Sequence, residues 1–241
     1  MNAMEPAGDA EIPQGLVEAV VGLVATGPVP LGGYTLAEID AVSGLIPFLE
    51  REPPAELVAE AVRSLAARSL ITTSPGSDQI QVQGDLGIAL AFQQRARTVL
   101  DARVTGTEPD HPWRFALMPQ AEGVTLEVLI DALGIHFYSL RETPDTMDRL
   151  WQRLPSGDRA PKDADADAVL SSSPQTALIS VSHWEGDGAR ETHDVVLARD
   201  GDRCHVFQRD AEEPSRLVAQ GLDGDEWRDL VTNLAVPRRM A

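Results

Sequence analysis

The sequence predicts an α+β protein: an N-terminal helical, winged-helix-like region, then two repeated β-β-β-α units forming a central antiparallel sheet with helices packed on it. Three observations predict it. Residues 15–105 read mainly as helices broken by one strand–turn–strand signal. Beyond residue 105 the apolar residues fall into short strand-like runs. Twice, three such runs are closed by an amphipathic helix, which is the mark of a duplicated unit.

Residues 1–14 show no periodicity and read as a disordered leader. The first helix is expected over Leu16 to Ala25. Gly32-Gly33 reads as a turn before the second, which opens on the capping-box pair Thr35 and Glu38 and carries the stripe Leu36, Ile39, Val42 and Ile46. Pro54 suits the start of a third helix, with Leu57, Val58, Ala61, Val62 and Leu65 as its inner face. A hairpin follows, Leu70 to Thr73 and Gln79 to Val82 around the turn formers Ser74 to Asp78. Asp85 is placed to cap a fourth helix reaching about Leu100.

The first repeated unit, 106–155, holds strands over Trp113 to Met118, Val124 to Leu133 and Ile135 to Leu140. Its helix opens at Thr143-Pro144-Asp145 and aligns Met147, Leu150, Trp151 and Leu154. The second unit, 175–241, repeats this with Ala177 to Trp184, Thr192 to Arg199, Arg203 to Gln208 and a helix near Asp223 carrying Trp227, Leu230, Val231 and Leu234. Between the units, 156–174 reads as a flexible linker because of its alternating Asp163, Asp165, Asp167 and its serine cluster.

Thirty-eight acids against twenty bases give a net charge of −18, which opposes encounter with nucleic-acid phosphates and anionic membranes. No apolar run nears the roughly 20 residues that span a bilayer, and the acidic start lacks the basic region of a secretory signal, so a cytoplasmic location is expected. Nineteen of the twenty bases are arginine, a bias of GC-rich coding as in actinobacteria. The winged-helix order raises DNA binding, but residues 1–105 hold six bases and thirteen acids, the opposite of a reader's positive footprint.

No enzyme or cofactor site is expected. The aspartates at 163, 165 and 167 mimic a calcium loop, but Ala168 and Pro174 stand where its Gly and bidentate Glu belong. His183, His193 and His205 could converge from three strands, without the spacing of a metal site. Ser182-His183 and Asp194 have the residue types of a triad but no nucleophile elbow. Cys204 is alone and reads as a small apolar strand residue. Hairpin tips are the candidate partner contacts: Trp184, Glu185 and Gly186 on one, Gln120 and Glu122 on another, since aromatic residues at exposed turns anchor interfaces.

The run from Tyr34 to Val104 adds a resemblance. Its Pro53-Pro54 pair, the phrase Leu65-Ala66-Ala67-Arg68-Ser69-Leu70, and Asp85-Leu86 with Ala89-Leu90 resemble the EspG family of type VII (ESX) secretion-associated proteins of actinobacteria. Residues 133–141 and 199–207 look like strands of the same family. Ser69 stands where the family phrase has Gly, and the chain is short. The resemblance implies a duplicated α/β protein acting as a cytosolic chaperone or adaptor. Its partner would be a secreted helical substrate, PE–PPE-like or WXG-motif-like, and it would have no catalytic residues. The alternative is a winged-helix-derived regulatory or interaction protein without strong DNA binding, and a homodimer is compatible with either.

Overall fold

The computed structural model describes residues 14–42, 45, 48, 49, 51–73, 80–108, 111–184 and 190–235. The leader up to residue 13, the wing turn at 74–79 and the tip residues Glu185 and Gly186 lie outside them.

In the N-terminal region, α1 (Gln14–Val24) leads into β1 (Val29–Tyr34), where Gly32-Gly33 forms part of a strand and not a turn. The glycine run gave no strand pattern, yet a bulge between Pro30 and Gly32 (φ 99°) lets β1 pair with a sheet edge. The Thr35/Glu38 capping box closes as expected, Glu38 N donating to Thr35 Oγ1 at 3.2 Å and Thr35 N to Glu38 Oε2 at 2.9 Å. The helix it starts, α2 (Leu36–Asp40), is a short one and stops before Ile46.

In α3 (Ala55–Ala67) Ala61 and Leu65 are buried, but Leu57 is 54% exposed, so the inner face starts one turn later than its sequence pattern suggests. The helix ends in a Schellman motif: Leu70 N donates to Leu65 O, Ser69 N to Ala66 O, and Ser69 takes φ 57°. The expected hairpin is β2 (Ile71–Thr73) paired with β3 (Ile80–Val82). Next, α4 (Gly84–Arg95) is preceded by Gln83 at its cap, with Asp85 inside the first turn.

The fourth helix does not reach Leu100. Residues 98–105 form β4 (Thr98–Thr105), a central strand whose Leu100, Ala102 and Val104 are buried on one side. β-branched residues at both ends favour the extended chain, and pairing on both edges outweighs any helical preference. The chain then runs through β5 (Arg114–Pro119), β6 (Val124–Ile130), β7 (His136–Glu142) and α5 (Thr143–Trp151). After β8 (Asp158–Arg159) and α6 (Ala166–Ser172) come β9 (Gln175–Trp184), β10 (Arg190–Asp200), β11 (Arg203–Arg209), β12 (Leu217–Ala219) and α7 (Gly224–Ala235).

The main sheet has the order β1-β7-β6-β5-β4-β9-β10-β11-β12, with β8 joined parallel to β11 and every other pair antiparallel. Two four-stranded meanders thus run outward from a shared β4/β9 seam, and a helix follows each. The repeat is real, but its unit is ββββα: β4 corresponds to β9 and β5 to β10, one strand out of step with the three-strand units expected. Both closing helices cover the same face, since α5 and α7 share one core with Leu100, Phe115, Ile179, Val195 and Val206. On the other face α1 to α4 cover the half containing β1 and β5 to β7, with Leu31, Tyr34, Leu126 and Tyr138 in that core.

The segment 156–174 is no bare linker. Arg159 of β8 donates to Asp223 and Glu226, and α6 lays Val169 and Leu170 on a small core of Ala198, Phe207 and Ala219. Its aspartates masked a helix whose N-cap is Asp165, bonded to Ala168 N. At the seam, a Cβ on Gly106 (φ 72°) would collide with the Pro174 carbonyl, so only glycine fits where the two halves meet.

Candidate binding surface

On the face opposite α5 and α7, α1 to α4 lie over one end of the sheet, and α6 touches β10 and β12 at the other. Between them β4, β9 and the near side of β10 present a polar row. Asp101, Ser180 and Asp194 stand in register across the three strands. Arg114 grips Asp101 bidentately (Nε–Oδ1 2.8 Å, Nη2–Oδ2 2.6 Å), and Arg103 reaches the same carboxylate at 3.4 Å. Ser180 Oγ donates to Asp194 Oδ1 at 2.7 Å while Arg209 Nε donates to Asp194 Oδ2 at 2.7 Å. Ser182 with Thr192 (3.1 Å) and Thr105 with Thr176 (2.7 Å) continue the polar strip on either side, and Leu178 and Val196 lie half-buried between.

Burial sorts these charges. The side chains of Asp101 and Asp194 are 16% and 17% exposed, against 39% for Arg103 and 53% for Arg209. On a molecule of net charge −18, this strip turns the guanidinium groups of Arg103 and Arg209 outward over its carboxylates, while Arg114 is buried with Asp101. From β4 to β10 is two strand spacings, about 10 Å, close to the diameter of one α-helix. The strip can hydrogen-bond and ion-pair with a polypeptide laid along it.

The residues expected at hairpin tips divide. Gln120 is buried and spends its amide on the Phe92 and Met118 carbonyls, so it fastens the β5–β6 turn to α4 and is no partner contact. Glu122 is ion-paired with Arg95 and ties the same turn to the end of α4. Trp184 ends β9, and its side chain, like Glu185 and Gly186, lies outside the described residues.

The histidines do not meet as a trio. The His183 and His193 rings sit 6.5 Å apart, with His183 Nδ1 3.0 Å from Thr98 Oγ1 and His193 Nε2 2.9 Å from Glu191. His205 stacks on Phe207, over the small core under α6 on the opposite face. Among the described residues no group of three or more His, Cys, Asp or Glu side chains could hold a metal ion. Ser182 and His183 are successive strand residues and point to opposite faces, while Asp194 belongs to the polar row, so they form no triad. Cys204 is buried with Sγ on the Pro155 carbonyl at 3.4 Å, and burial pushes its thiol up to about 11. It is a core residue. No described helix is long and apolar enough to cross a membrane.

Of the polar row, the sequence singles out Asp194 alone, as a triad-like residue and not as part of a surface. Asp101 and Arg103 directly follow a run that reads as helix to about Leu100, which hides their strand parity. Ser180 and Asp194 did alternate with Ile179, Val181 and Val195, and that alternation was the available signal for a strand face left without an apolar cover.

No family model matches the chain, and no curated protein matches it either.

Proposed function

We propose that the chain is a cytoplasmic, non-enzymatic chaperone or adaptor that binds a helical secretion substrate, of the PE–PPE-like or WXG-motif-like kind that the EspG resemblance implies. The observation carrying this reading is the polar row Asp101–Ser180–Asp194, a helix-wide strip of a well-packed sheet with Arg103 and Arg209 turned outward. An antiparallel sheet can leave one face to water, and a strip of ion-paired side chains held there supports the reading as a surface that another molecule can meet. The architecture adds support, because two repeated units around a central antiparallel sheet are the plan the resemblance calls for.

Co-expression with helical substrate pairs of that class, followed by size-exclusion chromatography, tests the proposal. A stoichiometric complex that is lost in Ser180→Trp, whose thermal unfolding matches the native chain, is the expected result. Co-elution with none of the pairs, or a complex indifferent to Ser180→Trp, overturns it.

A further inference from the structure

The polar strip ends against α6, which among the described helices is the one with no buried residue. The segment containing it is fixed firmly at both flanks. On the entry side β8 pairs with β11, and Arg159 bonds Asp223 and Glu226. On the exit side β9 begins at Gln175. Between these anchors residues 163–173 bond only to themselves. Asp165 accepts from the backbone of Ala168, and the hydroxyls of Ser171, Ser172 and Ser173 return to the carbonyls of Ala168 and Val169. Among the described residues, this stretch makes no hydrogen bond or ion pair to the rest of the molecule.

Its only hold is apolar and shallow. The helix has no buried residue; Ala164, Ala166, Val169 and Leu170 are half-buried over a floor of Ala198, Phe207 and Ala219, edged by Val196 and Leu217. That floor is well covered: Phe207 and Ala198 are wholly inaccessible and Ala219 is nearly so. A short helix holding down a buried aromatic with four partial contacts, tethered at both ends, is a cover of low local stability. The floor it covers runs on through Val196 into the strip with Leu178 and the Asp101–Ser180–Asp194 row.

We infer that α6 is a displaceable strap which, in the resting chain, keeps the place of a partner's amphipathic helix. The seat shows what fits: Ala166, Val169 and Leu170 stand at i, i+3 and i+4, so the incoming helix presents small and branched aliphatic residues at that spacing. Its polar flank then lies along Arg103 and Arg209. This rests on the protein-binding reading above and adds that binding requires α6 to leave.

Hydrogen exchange on the native protein comes first. The amides of 166–173 are expected to exchange as one unit, on the order of a hundredfold faster than those of Val195–Leu197 and Val206–Phe207. Protection of α6 equal to that of β10 and β11 overturns the strap. The second measurement uses Val169→Asp/Leu170→Asp and a synthetic peptide copying residues 163–173. At millimolar peptide, NMR signals of Val196 and Phe207 are expected to shift in the variant and not in the native chain, where the tethered α6 outcompetes the free copy. The peptide bearing the same two aspartates is expected to shift neither. No shift in the variant, or equal shifts in both proteins, overturns the inference. Substrate capture separates the two proposals: a complex formed equally well by native and variant chains sinks the strap alone, whereas no complex with either sinks the protein-binding reading.

Discussion

The indole rings of Trp151 and Trp227 meet edge to face, centroids 5.4 Å apart and planes at 85°, where the closing helices of the two halves touch. Trp227 is wholly buried and its Nε1 has no hydrogen-bond partner, while Trp151 is half-buried. Trp227→Ala is therefore expected to cost about 3–5 kcal/mol in denaturant unfolding. Trp227→Phe should cost clearly less, because it forfeits no hydrogen bond. A double-mutant cycle with Trp151→Ala should return a coupling of about 0.5–1.5 kcal/mol. A coupling near zero would mean that the ring contact adds nothing beyond area.

Asp101 and Arg114 form the best-buried ion pair of the polar row, with side chains 16% and 6% exposed. Asp101→Ala strands the Arg114 guanidinium and is expected to destabilise by roughly 3–5 kcal/mol; Asp101→Ala combined with Arg114→Met should recover most of that loss. Arg63→Ala removes an exposed i, i+3 pair with Glu60 and should stay within about 0.5 kcal/mol. Urea titrations of the four proteins check this ordering.

His136 is inaccessible to solvent, and burial holds its imidazole down at about 4. Its ordinary value is near 6.5, so between those two pH values the unfolded chain takes up a proton that the native chain refuses. Stability contributed by this site is full above pH 6.5 and falls as the pH drops toward 4, by roughly 3 kcal/mol at most. His136→Gln should flatten that slope in melts run across pH 4 to 7. An unchanged slope would place the acid sensitivity elsewhere.

Ser69 holds φ 57° at the end of α3, a conformation that glycine adopts without strain. Ser69→Gly is expected to stabilise by about 0.5–1 kcal/mol, and a melting temperature raised by a few degrees is the readout.

That serine shows how far the sequence could be read. The phrase Leu65 to Leu70 spans the helix end, and the structure places the left-handed residue within it, at Ser69. Capping residues, turn formers and the 3.6-residue stripes of α5 and α7 were legible because each is a local signal. β1 was not, because Pro30-Leu31-Gly32-Gly33 carries no alternation and becomes a strand only through its pairing with β7. β4 was missed for a related reason: Leu100, Ala102 and Val104 alternate, but they follow a helix without a glycine or proline stop. Gln120 looked like a tip residue because nothing in its neighbourhood announces the Phe92 carbonyl, 28 positions away. What stayed hidden depends on long-range pairing, and the polar row depends on it entirely.

The β4/β9 seam makes the chain behave as an internal dimer. Eight residue pairs, Thr98↔His183 through Thr105↔Thr176, zip together strands that lie more than seventy positions apart. Each half without the other would carry a long unpaired edge strand, the kind of edge that recruits any strand within reach. Loop closure over that distance must precede the reward of pairing, so the two halves are expected to find each other late in folding. Split between Arg159 and Gln175, the protein would become two fragments with complementary edges, each the other's only proper cover.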